Sequence, residues 1–197
     1  MKTRKNKNNI KNNNKSKKRI FKLKDYDAAD GMQTSAWGPA LWHSLHMISF
    51  NYPVKPSTQQ KKHYRNMMLN LVHVLPCKYC RENFKKNFKV YPLTMSCMKN
   101  RKSFSSYVYN LHERINKNLG KKSGLSYCDV RERYEHFRAR CTQNNAKLFK
   151  FKKTRKRERG CTEPLYGKKS KCIIKIVPKG DKHATFQMDN KCKKIKI

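Results

Sequence analysis

The sequence predicts an all-α fold: a four-helix bundle plus a short fifth helix, with basic N- and C-terminal extensions. Three observations lead there. Apolar residues recur at helical spacing in separate windows between Thr34 and Cys141. Neither a βαβ alternation nor a Gly-rich nucleotide loop appears, so no Rossmann-type cofactor site is expected. Finally, Lys and Arg crowd both ends. The first 24 residues hold 11 of them and no acidic residue, and 150–159 is the densest stretch of the other end. The expected organisation is a disordered basic arm over 1–33, a helical domain over 34–141, and a basic, Cys-containing extension over 142–197.

The first bundle helix is expected from Ser35 as N-cap, with Pro39 tolerated in its opening turn. Leu41, Trp42, Leu45, His46, Ile48 and Ser49 then follow helical spacing until Tyr52-Pro53 stops the run. The second begins at Ser57 and reaches Leu75. Its apolar set Tyr64, Met67, Met68, Leu71, Val72 and Leu75 fits one face of a 3.6-residue period. Pro76 breaks the chain, and a third helix is expected from Cys77 to Phe88, ended by Tyr91-Pro92. The fourth runs from Ser103 to Leu119 with Gly120 as its stop, and a short fifth covers Asp129 to Arg140. The apolar patch 172–177 reads as a strand standing alone.

A formal net charge of +37 draws the chain to polyanions through counterion release, whether binding is its purpose or only a solvated charge. Base-specific recognition is not expected, because no helix-turn-helix, RNP or paired zinc-finger pattern is present. No apolar segment follows the basic N-terminus, so no secretory signal is expected. The stretch 31–54 lacks Lys, Arg, Asp and Glu, yet it carries Gly, two Pro and two His. It therefore reads as a buried helix with its lead-in, and no transmembrane segment is expected.

Cys77-Lys78-Tyr79-Cys80 is the sharpest chemical feature. A CxxC at the start of a helix puts both sulfurs within bridging reach. The helix N-terminus with Lys78 and Arg81 favours a thiolate, the reactive form. A zinc site needs two more ligands at matching spacing, and Cys128, His136 and Cys141 are irregular, so no metal is expected. A thioredoxin-like site would follow a strand, whereas helical periodicity lies on both sides here.

In order along the chain stand Trp37-Gly38-Pro-Ala-Leu-Trp42-His-Ser-Leu-His46, Tyr52-Pro53, Pro76-Cys77-Lys-Tyr79-Cys80-Arg-Glu-Asn-Phe84 and Tyr91-Pro92-Leu93. They are followed by His112-Glu-Arg-Ile-Asn116-Lys-Asn-Leu119-Gly-Lys121 and Tyr127-Cys128-Asp-Val-Arg-Glu-Arg-Tyr134. This collinear set closely resembles the FAD-linked sulfhydryl oxidases of the Erv/ALR type, over roughly 35–137. It looks most like members encoded by large DNA viruses. For such a member, a cytoplasmic viral assembly site or the virion is the expected location. The resemblance implies a helical bundle that binds FAD non-covalently and forms a homodimer.

By the same likeness, Cys77 and Cys80 are the catalytic pair, Cys80 next to the flavin and Cys77 open to substrate thiols. Trp42 and His46, one turn apart, face the cofactor together with His112 and Asn116. Trp37, Gly38, Tyr79, Leu119 and Tyr134 complete the implied cofactor set, and Lys121 or Lys122 meets the pyrophosphate, although in so basic a chain either also suits a solvated charge. Protein dithiol substrates and molecular oxygen are the implied partners, with hydrogen peroxide as product.

Three positions depart from the family pattern. Glu113 stands where Asn is common, Tyr134 replaces the closing Trp, and Tyr109 occupies the place of a Cys usually paired with the one aligned to Cys128. Cys128 is then free or paired with Cys97 or Cys141. Cys161, Cys172 and Cys192 suit either an electron relay or a small disulfide-stapled extension. Two other functions stand beside the flavoenzyme. One is a non-enzymatic basic protein that binds nucleic acid around a helical scaffold; the other is a thioredoxin-like reductase, which needs no flavin.

Overall fold

A computed structural model describes residues 22–27, 31–140, 161, 163–165, 173–174 and 186–187. The chain divides into two compact units, Met1–Asp30 and Gly31–Ile197. In the first, the described element is a single turn, α1 (Leu23–Tyr26). In the second, five helices build the domain: α2 (Thr34–Phe50), α3 (Thr58–Val74), α4 (Lys78–Val90), α5 (Arg101–Asn118) and α6 (Tyr127–Glu135). A 3-10 turn, Ser96–Met98, lies between α4 and α5.

Four of these five helices, α3 to α6, begin where the local sequence supplies a partner for a free amide. Ser57 and Gln60 form a reciprocal capping box at α3, and Ser126 and Asp129 do the same at α6. Asn100 caps α5 by accepting the Ser103 amide at 2.9 Å. α5 stops at Gly120, whose φ of +66° only glycine adopts cheaply. Among the described residues no helix is long and apolar enough to cross a membrane.

α2 packs along α5, α3 lies against α4, and α6 closes over α2 and α5. The core between them is aromatic and close-packed. Tyr52, Met68, Met98, Phe104, Val108 and Leu111 are fully buried. Tyr52 keeps its hydroxyl satisfied by donating to the Met98 carbonyl at 3.0 Å, and Tyr107 donates to the Tyr91 carbonyl at 2.8 Å.

Several expected boundaries shift. α2 starts one residue before Ser35, and Gln33 at its N-cap makes no side-chain cap. Pro39 therefore sits inside the helix rather than in its first turn. α6 ends at Glu135, five residues short of the expected Arg140, because residues 139–140 turn into an antiparallel pairing with 163–164. The apolar patch after Cys172 is not a lone strand: Ile173–Ile174 pairs antiparallel with Phe186–Gln187. Of the expected disulfide partners, Cys97 and Cys128 carry free thiols, while Cys161 is disulfide-bonded. Cys141, Cys172 and Cys192 lie outside the described residues.

In place of a disulfide, the Tyr109 hydroxyl donates to the Leu125 carbonyl at 2.7 Å, and its ring meets Tyr127 edge-on at 5.9 Å. Tyr109 thus ties α5 to the lead-in of α6.

Candidate functional site

Cys77 is the N-cap of α4, and its Sγ accepts the Cys80 amide at 3.3 Å. This places both sulfurs on the first turn of one helix, in the dithiol form. Their environments differ. The Cys77 thiol is lowered, chiefly by the hydrogen bond from the Cys80 thiol and also by backbone amides, whereas burial raises Cys80. The two thiols are thus poised unequally, with Cys77 carrying the thiolate more readily.

The segment before α2 straps this turn. The Met32 amide donates to the Pro76 carbonyl at 2.7 Å, and Gly31 pairs with Cys77. Gly31 has φ +110°, and a Cβ there would lie 2.9 Å from the Pro76 oxygen, so the close approach needs glycine. Trp37 Nε1 donates to the Met32 carbonyl at 3.1 Å and holds the strap on α2. The strap ends at Thr34, whose hydroxyl lies 3.8 Å from Cys80 Sγ and lowers both thiols. Thr34→Val removes that hydroxyl at nearly constant volume. The expected result is a rise in both thiol pKa values, read as slower alkylation of the reduced protein by iodoacetamide at neutral pH. An unchanged pH profile of alkylation would remove Thr34 from this role.

One turn below Cys80, Phe84 is buried and meets Trp42 at 6.1 Å between ring centroids. Trp42 stacks face to face on His112 at 4.0 Å, with the planes 5° apart. His46 Nε2 and His112 Nδ1 are 3.0 Å apart and share one proton in a hydrogen bond. Tyr134 lies 5.2 Å from His46, stacks on Phe50 at 5.3 Å and bonds through its hydroxyl to His43 Nδ1 at 3.2 Å. A row of flat rings therefore runs from the cysteines between α2, α5 and α6. His46 Nδ1 in this row is buried without a hydrogen-bond partner. A buried polar atom of this kind is costly unless something bonds it.

Burial drives His46 down to about 3, with His112 and His43 adding to it, and His112 down to about 4. Both rings are neutral in the folded protein. An unfolded chain protonates them near ~6.5. Between that value and about 4 the unfolded state binds more protons, so stability is complete above about pH 7 and falls as the pH drops through the window. The urea midpoint is expected to fall between pH 7 and 5, and less steeply in His46→Phe. Equal slopes for the two proteins would exclude His46 as a source.

Of the expected cofactor residues, Trp42, His46, His112 and Tyr134 come together in this row. Gly38 is buried on α2, with Thr34 Cγ2 3.4 Å from where its Cβ would stand, and Trp37 serves the strap. The Asn116 side chain donates to Glu113 Oε1 at 3.1 Å. Tyr79, Leu119, Lys121 and Lys122 are exposed. Thr34, His43, Phe50 and Phe84 join the site in addition to the residues the sequence indicates. For Phe84 the helical spacing from Cys80 was the available signal; the contacts of Thr34 cross 46 residues of sequence and leave none. A cavity of about 380 Å³ opens beside Tyr134 and Phe137, with Cys161 on its wall.

Comparison with known proteins points one way. Residues 39–138, about half the chain, match the model of the Erv1 / Alr family. The probable FAD-linked sulfhydryl oxidase R368 of Acanthamoeba polyphaga mimivirus is 30% identical over 104 residues, 53% of this chain and 72% of that protein. The FAD-linked sulfhydryl oxidase of African swine fever virus (isolate Pig/Kenya/KEN-50/1950) is 29% identical over 99 residues, 50% of this chain and 80% of the relative. Arabidopsis thaliana FAD-linked sulfhydryl oxidase ERV1 is 33% identical over 84 residues, 43% of this chain and 42% of its own length. The crystal structure of the yeast Erv1 core aligns with 61% of this chain and 95% of its own at a TM-score of 0.48 and 21% identity. The matched span holds both cysteines and the whole row of rings behind them, and this chain belongs to the Erv1 / Alr family.

Proposed function

We propose that this protein is a FAD-linked sulfhydryl oxidase, which forms disulfide bonds in protein substrates and reduces oxygen to hydrogen peroxide. The observation that carries this reading is the continuity of the site. An unequally poised CxxC sits one helical turn above Phe84, which leads into flat rings ending at an unpartnered buried imidazole nitrogen. Such a row suits a planar heteroaromatic group with polar edge atoms, and FAD is one.

Trp42, His46, His112 and Tyr134 would hold that group, with Asn116, Lys121 and Lys122 toward the C-terminal end of α5. When bound, FAD supplies a two-electron acceptor for the thiol pair and a donor to oxygen. The chain's own chemistry is thiol–disulfide exchange. With Cys77 and Cys80 joined, a substrate thiolate attacks Cys77 Sγ, the S–S bond breaks, and Cys80 Sγ departs with the electron pair. The substrate's second thiolate then attacks the sulfur bonded to Cys77 and releases Cys77 as a thiolate. The two substrate thiols have lost two electrons and two protons, and the pair has gained them. The lowered Cys77 thiol makes it the better leaving group in this second step.

Residues 34–141 would be the catalytic domain, flanked by basic extensions. A homodimer belongs to the same reading through the family likeness. Contact of the tails with nucleic acid or other polyanions belongs to it through the net charge of +37.

The test is the visible spectrum of the purified protein before and after anaerobic dithiothreitol. A flavin band near ~450 nm is expected to bleach with reductant and return in air. A colourless protein that FAD does not reconstitute would overturn the reading in favour of a polyanion-binding scaffold.

A further inference from the structure

At the end of the bundle away from the cysteines lies a cavity of about 470 Å³, within the size range of small-molecule sites. It opens between the end of α2, the loop after it, the first turn of α5, and α6. Phe50 lies eight residues beyond Trp42 on α2, about 12 Å along the helix. Arg101 precedes His112 by eleven residues on α5, about 16 Å. The cavity meets the row of rings described above at Phe50, which also stacks on Tyr134, and shares no other residue with it.

Its composition is specific. Phe50 and Tyr127 form a flat wall, their rings stacked at 6.0 Å and 23°. Around that wall stand Lys55, Arg101, Lys102 and Arg131. Arg131 places its guanidinium carbon 6.0 Å over the Tyr127 ring. The lining carboxylate, Glu135, is already held by Arg138. Among the described residues, Lys55, Lys102 and Arg131 make no ion pair. Arg101 is fixed by donating Nε–H to the Tyr52 carbonyl, and burial together with the Arg138 charge lowers its pKa. Four cations thus converge on a single carboxylate, Glu135, which Arg138 binds directly and which also feels Arg101 and Arg131, so positive charge is in excess. The positive end of the 18-residue helix α5 points the same way.

We propose that this cavity binds a nucleoside phosphate, with the base against Phe50 and Tyr127 and the phosphate among Lys55, Arg101, Lys102 and Arg131. A flat apolar wall inside a cationic rim matches a base joined to a phosphate better than it matches a bare anion or a carboxylate-bearing peptide. A free nucleotide and one unit of a single strand share this chemistry.

The experiment uses the full chain loaded with FAD, so that the cofactor's own site is filled. Uridine diphosphate, inorganic phosphate and a labelled ten-residue oligothymidylate are titrated at physiological salt, by calorimetry for the first two and by anisotropy for the third. Two double variants are compared, Lys55→Glu/Lys102→Glu at the cavity and Lys85→Glu/Lys86→Glu on the exposed face of α4. They change the net charge equally, and an unchanged melting temperature shows that both fold. The cavity pair is expected to weaken uridine diphosphate by about tenfold or more, and the α4 pair by less than about twofold. If only the oligonucleotide shows that contrast, the ligand is a strand. Equal losses in the two pairs would reduce the effect to bulk charge and overturn the proposal. Phosphate binding as tightly as uridine diphosphate would do so too, since the wall would then contribute nothing.

Discussion

Cys80→Ser is expected to lower oxygen consumption with dithiothreitol by at least about a thousandfold while leaving the flavin band in place. Serine keeps the shape of the first turn of α4, including the amide that donates to Cys77 Sγ. It cannot form the S–S bond, so substrate electrons have no acceptor and Cys77 is left as a lone thiolate. Cys77→Ser is expected to stop turnover as well. The two variants should differ in thiol titration. In Cys80→Ser the serine hydroxyl can donate in place of the lost thiol, and Cys77 keeps the lowering backbone amides and Thr34, whereas in Cys77→Ser burial still raises Cys80. Alkylation of Cys77 in Cys80→Ser should therefore proceed at lower pH than alkylation of Cys80 in Cys77→Ser. Turnover that survives in Cys80→Ser, with protein or small dithiol, would mean that electrons bypass this pair.

The largest loss of stability is expected at Phe104→Ala, about 3–5 kcal/mol. Phe104 is fully buried, meets Tyr64 edge-on at 6.0 Å and lies 5.0 Å from Tyr52, whose hydroxyl reaches the Met98 carbonyl. Truncation opens a cavity where α5 meets the end of α2 and the start of α3, and the rigid rings around it relax only in part. At roughly 4–8 °C per kcal/mol for a domain of this size, the melting temperature should drop on the order of 20 °C. Val90→Ala, at a side chain 65% exposed, should stay within about 0.5 kcal/mol. Comparable melting of the two variants would show that Phe104 is not central to the core.

The helices were legible because each buries one face, and burial writes its period into the chain. The apolar set of α3 from Tyr64 to Leu75 and the Ser57 cap are examples, and both stand where the pattern placed them. The end of α6 was not legible, because what ends it is a pairing of residues 139–140 with 163–164, far along the sequence. Phe186–Gln187 gave no strand pattern for the same reason: two residues carry no period, and the partner supplies the register.

The site divides in the same manner. Trp42 with His46, and His112 with Asn116, are i and i+4 pairs, so their shared faces follow from helix geometry alone. The strap that brings Gly31 against Pro76 depends on a positive φ and a non-local close approach. Spacing cannot express either. Likewise, the spacing placed His46 on the face of Trp42 but gave no sign of its hydrogen bond to His112, 66 residues away.

The Tyr109 tie to Leu125 has a consequence for a protein whose trade is thiol exchange. Dithiol substrates are themselves reductants, and any cystine that closed the fold would be open to the same attack as the one that does the work. A phenol–carbonyl hydrogen bond is indifferent to electron supply. Among the described residues of 31–140 every cysteine is a free thiol, so no cystine of that segment holds helices together, and Tyr109 makes its tie without sulfur. Within 31–140 turnover and architecture are thereby decoupled: a rush of reduced substrate can empty the catalytic pair without loosening the helices that present it, and the disulfide at Cys161 lies outside that segment.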